Sequence, residues 1–149
     1  MRPHSIHRHI FDEILRAQRG PGATYHVSGH LDLTEAEFIE HYVPKLEAAI
    51  ADPHALFVVG DARGADDMAQ QWLRGHLGRE AQDRVVVFHM LDEPRHHNDF
   101  DHVGGFKSDD ERDAAMTGAS SVDIAWVRPG RERSGTAKNL ARRSAAWAR

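Results

Sequence analysis

Two glycine-containing segments of the sequence carry groups that suit an anionic ligand. Residues 60–64 hold two glycines around Asp61 and Arg63, and residues 134–136 place a hydroxyl side chain on either side of a glycine. Glycine lets backbone N–H groups approach a ligand closely because it has no Cβ atom. N–H groups at the start of a helix attract phosphate and carboxylate groups. Positive charge near the second segment would come from Arg128, Arg131 and Arg133.

A plainer interpretation of residues 134–136 stays open, in which the serine and the glycine only cap and turn the chain. Two well-known nucleotide motifs are absent, since the sequence contains neither G-x-x-x-x-G-K-[S/T] nor G-x-G-x-x-G. This excludes a P-loop ATPase and a standard NAD-dependent dehydrogenase.

The elements that would position these segments follow from the spacing of apolar residues. Short apolar runs predict strands over residues 24–28, 56–59, 84–89 and 122–127, and each is followed by a segment with helical periodicity. Apolar strands that alternate with helices are typical of a parallel sheet covered on both faces. We therefore expect an α/β fold, a Rossmann-like three-layer sandwich with a mostly parallel sheet. Its ligand would bind beyond the carboxyl ends of the strands.

An additional helix is expected before the first strand. Residues 3–18 place apolar side chains at helical spacing, and the segment ends at a glycine- and proline-rich turn. We expect residues 1–149 to form a single domain in which residues 1–22 are an N-terminal helical extension.

Two other helices carry start signals. Thr34 with Glu37, and Ser108 with Glu111, have the spacing of a capping box. Pro44 lies inside the first of these helices and should bend it, because proline removes a backbone donor and crowds the preceding turn.

Four segments in chain order resemble the successive motifs of the SLOG superfamily. They are GDARGAD at residues 60–66, RDAAM at 112–116, DIAWV at 123–127 and SGT at 134–136. The patterns approximate G-x-x-x-G-A-D, R-N-x-x-M and S-x-G-T, and the most similar members are the small bacterial YspA/YpsA-like proteins. The opening SGH at residues 28–30 also resembles their first strand turn.

The resemblance implies a Rossmann-like fold that binds nucleotides or nucleotide-derived ligands at the strand tips. Its enzymatic relatives, the Lonely guy phosphoribohydrolases, cleave the N-glycosidic bond of nucleoside 5′-monophosphates with an arginine from R-x-x-x-M and a glutamate from PGGxGTxxE. Arg112 and Met116 match the first motif, and Gly135-Thr136 match the second. The glutamate position is Asn139, whose amide cannot ionise to stabilise an oxocarbenium-like centre or act as a base.

Other carboxylates near the predicted strand ends are candidates for catalysis or binding. Asp61 is expected to contact ribose hydroxyls, and the candidate catalytic residues are Arg112, Asp61 and Asp113. Two alternatives stay open: Asp66 complements a helix dipole, and Arg112 either binds phosphate or pairs with Asp113 or Asp109. The predicted ligand-binding residues are Ser28, Gly29, His30, Gly60, Asp61, Arg63, Gly64, Asp66, Arg112, Arg128, Ser134, Gly135 and Thr136.

The histidine-rich segment at residues 95–102, RHHNDFDH, contains nitrogen and oxygen donors. Its compact spacing matches no catalytic zinc motif, so we expect no metal site. We expect a solvated lid over the crevice, with Phe100 or Phe106 able to cover a base.

Composition narrows the class of protein. A chain of 149 residues suits one domain, and the formal charge of −4 without a continuous basic tract argues against a general nucleic-acid binder. The absence of cysteine excludes disulfides, thiolate nucleophiles and cysteine-ligated metals. No apolar run suits a membrane span, and no signal peptide is evident at the start, so a cytoplasmic protein is expected.

The leading hypothesis is a protein that binds a nucleotide or nucleotide-derived ligand and acts in sensing or regulation. Its phosphate would lie near Gly135-Thr136, and its ribose near residues 60–66. One alternative is an N-glycoside hydrolase that acts on a nucleoside monophosphate. Another is a protein-interaction module with a vestigial cleft, in which the N-terminal helix docks a partner. No cofactor is expected, and the resemblance implies a homodimer.

Overall fold

Six parallel strands form one sheet with helices on both faces in the computed structural model, which describes residues 5–7 and 22–147. The strands are β1 (Ser5–His7), β2 (Thr24–Val27), β3 (Leu56–Gly60), β4 (Val85–Met90), β5 (Asp101–Phe106) and β6 (Val122–Ile124). The α-helices are α1 (Glu35–His41), α2 (Val43–Ile50), α3 (Ala65–Leu77), α4 (Ala81–Arg84), α5 (Asp109–Gly118) and α6 (Gly135–Trp147), with a 3₁₀ turn at Gly78–Glu80. The expected α/β fold, a Rossmann-like three-layer sandwich, is confirmed. None of the helices described is both long and apolar enough to cross a membrane.

The strand order, β1-β5-β4-β3-β2-β6, contains a change of direction at β2. The chain builds the sheet outward from β2 through β3 and β4 to β5, and then returns to place β6 on the other side of β2. Val27 of β2 consequently lies between Val59 of β3 and Ile124 of β6. In open parallel sheets, ligands bind beyond the carboxyl ends of the strands at such a switch point.

Two hydrophobic cores cover the two faces of the sheet, because successive side chains of a strand point to opposite faces. On one face, Phe57 and Val59 of β3 belong to the core that α1, α2 and α3 cover. On the other, Val58 packs in a core with Phe88 of β4 and Met116 of α5. Both faces of β3 are therefore buried, which explains its uninterrupted apolar sequence.

The prediction of a helix over residues 3–18 is wrong at residues 5–7, which form β1 and pair with β5. Pairing with a strand from the other half of the chain overrides the local helical periodicity of this segment. The rest of that predicted helix, together with residues 1–4 and 8–21 of the extension expected over residues 1–22, lies outside the described residues.

The strand β5 lies in a segment for which the sequence predicted only a loop. Its sequence, DHVGGF, has two glycines and no regular alternation, yet His102 and Val103 pair with β4 on one side and β1 on the other. Gly104 is required for this packing, because an added Cβ would lie 2.2 Å from Cε1 of His89.

The predicted helix starts are largely confirmed. Thr34 and Glu37 form both hydrogen bonds of a capping box at α1. Ser108 caps α5 by accepting from the backbone N–H of Glu111, whose own carboxylate accepts from the backbone of Lys107 instead. The helix that contains Pro44 breaks at Tyr42 into α1 and α2, with the proline in the first turn of α2, where its missing N–H costs least.

Candidate functional site

A cavity of about 460 Å³ lies at the carboxyl ends of the strands, at the switch point of the sheet. The segment after β2, the turn between β3 and α3, the first turns of α5 and the start of α6 form its wall. Most of the predicted site residues line it, namely Ser28, Gly29, His30, Arg63, Asp66, Arg112, Asp113, Ser134, Gly135 and Thr136. Four others, Gly60, Asp61, Gly64 and Arg128, do not line it.

The start of α6 presents hydrogen-bond donors to this cavity. The Ser134 hydroxyl accepts from the N–H of Ala137 at 3.2 Å, so this side chain caps the helix. The N–H groups of Gly135 and Thr136 have no acceptor among the described residues. Thr136 is only 4% exposed, and its hydroxyl also lacks a partner in this part of the chain. The first turn of α6 therefore has three donors to offer.

The end of β2 contributes a second unpartnered hydroxyl. The Oγ atom of Ser28 is buried and has no hydrogen-bond partner in the part of the chain that the structure describes, and the Ser28 carbonyl accepts from Tyr42 Oη at 2.7 Å. An added Cβ at Gly29 would lie 2.3 Å from the same Tyr42 oxygen. Glycine is required there because the segment after β2 packs closely against Tyr42, which lies between α1 and α2, and not for contact with a ligand.

The protein's own atoms occupy part of the turn between β3 and α3. Asp66 Oδ2 accepts from the N–H of Ala62 at 3.1 Å and would lie 2.4 Å from a Cβ added at Gly60. Gly64 has φ +76°, and a Cβ there would lie 2.3 Å from the Leu31 carbonyl oxygen. The acidic side chain of Asp66 occupies the place that we predicted for part of the ligand.

Asp66 is the most perturbed carboxyl group of the cavity wall. Burial raises its pKa to about 7, and the nearby charges of Asp113 and Asp61 act in the same direction. The charge of Arg112 and the hydrogen bond from Ala62 oppose this shift. Asp66 can therefore gain or lose a proton near neutral pH, as a general acid or base must.

Arg112 is held by three carboxylates. Its Nη1 lies 2.7 Å from Asp61 Oδ1 and 3.2 Å from Asp109, and its Nε and Nη2 lie 3.1 and 2.9 Å from Asp113 Oδ1. Burial alone would lower the pKa of Arg112, but the surrounding carboxylates, Asp66 and Asp113 foremost, raise it. Of the two alternatives for Arg112, pairing with Asp113 and Asp109 is the one that the structure contains.

Asp61 lies behind the cavity wall and binds two arginines that line it, Arg95 and Arg112. It is 1% exposed and accepts from the backbone N–H, Nε and Nη2 of Arg95 at 2.9 to 3.0 Å. Burial alone would raise the pKa of Asp61, but the hydrogen bonds from Arg95 and the charge of Arg112 lower it. Its carboxylate therefore orients two arginines and is not available to ribose hydroxyls.

Arg128 organises the loop before α6. Its side chain pairs with Glu37 at 2.7 Å and Asp32 at 3.1 Å, and its backbone N–H donates to Nε2 of His30 at 2.8 Å. Burial, followed by the charges of Arg128 and Arg131, lowers the pKa of His30. His30 is thereby held neutral with its hydrogen on Nδ1.

Two arginines of the wall differ in their pairing. Arg131 pairs with Asp32 at 2.7 Å. Arg63 is exposed, and no described carboxylate pairs with it. Arg63 is thus available to an additional anionic group of a ligand.

The predicted aromatic lid is not present. Phe100 and Phe106 are fully buried in the cores on the two faces of the sheet. His102 lies in β5, where its Nδ1 is 3.0 Å from Nε2 of His89. From residues 91–100, Arg95 reaches the cavity wall.

Sequence reasoning missed some residues of the wall. Leu31 and Asp32 directly follow the predicted SGH segment, so their position after β2 was a usable signal. Arg95 carried none, because its place depends on the fold of a loop with three non-glycine residues at positive φ, Leu91, Asn98 and Asp99.

No protein-family model, curated protein or solved structure matches this chain. A functional assignment therefore depends on the geometry of the cavity and on the resemblance of the motifs.

Proposed function

We propose that the protein binds a nucleotide or nucleotide-derived ligand in this cavity, with the phosphate against the first turn of α6. The observation that carries the proposal is the group of donors at that turn. Only 4% of Thr136 is exposed, yet its hydroxyl has no partner among the described residues, and the N–H groups of Gly135 and Thr136 beside it have no acceptor there. An anion that accepts from all three would also interact favourably with the dipole of a 13-residue helix.

The rest of the cavity suits the remainder of such a ligand. Its volume of about 460 Å³ falls within the range of small-molecule sites, roughly 300 to 1,000 Å³. Leu31, Ala62 and Met116 provide apolar wall for a base. The buried Ser28 hydroxyl and the carboxyl of Asp66 offer partners for sugar hydroxyls.

The motif resemblance supports the same ligand class. The segments that resemble SLOG motifs include the start of α6 and the RDAAM segment of α5, which face the cavity from two sides. In this proposal the protein senses or regulates; a homodimer stays a prediction from the resemblance, and a cytoplasmic location a prediction from the sequence.

The first experiment is one-dimensional proton NMR of a panel of nucleotides and nucleosides, with and without the protein, followed over hours. We expect selective broadening of nucleotide signals. Replacing Thr136 by Val should weaken binding by roughly tenfold or more, because a hydrogen bond to a charged group is lost. Thr117→Val is the matched control, since the buried Thr117 hydroxyl in α5 also has no partner among residues 5–7 and 22–147 but does not line the cavity. If the protein changes the signals of no ligand in the panel, the nucleotide assignment is rejected and the interaction module is favoured.

A second candidate function, hydrolysis of the N-glycosidic bond of a nucleoside monophosphate, is favoured by Asp66. A carboxyl group with a pKa of about 7 in the cavity wall can protonate a leaving base or activate water, and the ion-paired Asp113 supplies a second carboxylate. The same NMR series would then show free base accumulating. The Asp66→Asn variant should stop the release. Asp67→Asn, which alters a carboxylate outside the cavity wall on the same helix, should not.

A further inference from the structure

One oxygen of the Asp113 carboxylate lies next to the proposed anion site. Asp113 Oδ1 receives two hydrogen bonds from Arg112, at 3.1 and 2.9 Å. Asp113 Oδ2 has a single long contact among the described residues, 3.5 Å from Nδ2 of Asn139. A Cβ added at Gly135 would lie 4.0 Å from this same oxygen. A nearly free carboxylate oxygen therefore faces the first turn of α6.

This arrangement is unusual for an anion site, because a bound anion would face a second negative charge. The nearest cation to Asp113, Arg112, is shared with Asp61 and Asp109 and bonds to the far oxygen. Repulsion between two bare anions at such a distance opposes binding. It becomes attraction when one of the two carries a proton that it can donate to the other.

We propose that the site selects an anion that brings its own acidic proton, namely a phosphate monoester in its singly charged form. Its P–OH group donates to Asp113 Oδ2, and its other oxygens accept from the N–H groups of Gly135 and Thr136 and from the Thr136 hydroxyl. This inference rests on the proposed function of the α6 turn as the anion site. Phosphodiesters and sulfate esters, which have no such proton at neutral pH, should bind more weakly.

The proposal predicts a particular dependence on pH. The second pKa of a phosphate monoester is about 6. Above that pH the singly charged fraction falls tenfold for each pH unit, and the affinity should fall with it. The other titratable or charged groups near the site act alike on the singly charged forms of monoesters and diesters; they are Asp66, Asp109, Arg112, Arg142, Arg63, Arg95, Arg131, Asp32 and His30. The difference between the two ligand types therefore isolates the ligand proton.

The test uses methyl phosphate and dimethyl phosphate, which need no base or sugar, with the full-length protein. Titrations follow the backbone amide signals of Gly135 and Thr136 by two-dimensional NMR at several pH values from 6 to 8. We expect methyl phosphate to bind at least tenfold more tightly than dimethyl phosphate at pH 6, and its affinity relative to dimethyl phosphate to drop about tenfold per pH unit above that. Asp113→Asn should remove both effects. Asp110→Asn, an exposed carboxylate on the same helix outside the cavity wall, should preserve them.

The outcomes separate this inference from the proposed function. Equal binding of the two esters, or an affinity for methyl phosphate that does not vary with pH, would overturn proton selection and leave the anion site standing. Absence of any shift at Gly135 and Thr136 with either ester would reject the anion site itself. If Asp113→Asn does not fold, the comparison of the two esters on the unmodified protein still decides.

Discussion

Two glycine-containing turns before helices look alike in the sequence and differ in the structure. The turn at residues 60–64 precedes α3, and the turn at residues 134–136 opens α6. In the first, Asp66 accepts from the loop N–H of Ala62, and the N–H of Ala65 at the start of α3 donates to the carbonyl of His30. In the second, the Ser134 hydroxyl caps the helix, and the N–H groups of Gly135 and Thr136, the first two residues of α6, have no acceptor among the described residues, whereas the first residue of α3 has one.

The difference shows that glycine serves two separate purposes at such turns. At Gly64 the left-handed backbone and the contact with the Leu31 carbonyl leave no room for a side chain. At Gly135 an added Cβ would meet, of the described residues, only Asp113, at an ordinary contact distance of 4.0 Å. Glycine in the first turn is therefore needed for packing. In the second it leaves space that a ligand can use.

The largest effect is expected from substituting these two glycines by alanine. Gly64→Ala should lower the free energy of unfolding by about 3 kcal/mol or more, from a strained positive φ and a clash with backbone atoms. Gly135→Ala should change it by about 1 kcal/mol or less, because alanine is a good helix former. Denaturant unfolding of both variants measures the contrast. Similar losses in the two variants would mean that the turns are not different in kind.

The next effect is on the pH dependence of stability, and it concerns the carboxyl group of Asp66 in the first turn. Asp66→Asn keeps an acceptor for Ala62 but removes the ionisable group. In the unmodified protein, the unfolded chain loses the Asp66 proton near its ordinary pKa of 3.8, whereas the folded chain keeps it up to about pH 7. The free energy of unfolding therefore falls as the pH rises between these values, and stays lowered above them.

The Asp66→Asn variant lacks this loss. The difference between its free energy of unfolding and that of the unmodified protein should therefore grow in favour of the variant from pH 4 to pH 7 and then level off, on the order of 3 to 4 kcal/mol at most. Urea titrations at half-unit pH intervals measure it. Asp67→Asn, with its carboxylate hydrogen-bonded to Gln71 and Asn98, is the control on the same helix. A difference between Asp66→Asn and the unmodified protein that does not vary with pH would contradict the assignment of Asp66.

Much of the fold could be predicted because apolar runs and helical periodicity are local properties. The strands β2, β3, β4 and β6 and the capping box at Thr34 were found in this way. The strand β5 was missed, since its two glycines interrupt the pattern and its stability comes from its neighbours β4 and β1.

The location of the cavity was predictable for a topological reason, and the roles of its residues were not. The carboxyl ends of parallel strands meet at one edge, so Ser28 and Asp66 had to approach each other. Whether Asp61 faced a ligand depended on Arg95, which is 34 positions away and reaches Asp61 through an irregular loop. Periodicity carries no information about such a contact.

The smallest effect concerns the two hydroxyls of the second turn, which have different tasks. Ser134→Ala should cost about 1 kcal/mol of stability, the usual value of a helix cap, and Thr34→Ala at α1 is the reference for that loss. Its effect on nucleotide affinity should be less than about threefold, because the Ser134 oxygen is already bonded to the N–H of Ala137. Thr136→Val should show the opposite pattern, with stability preserved and affinity reduced. Denaturant unfolding and ligand titration of the same two variants measure both quantities. If Ser134→Ala weakens binding as much as Thr136→Val does, the ligand takes over the capping hydroxyl, and the second turn must rearrange when it binds.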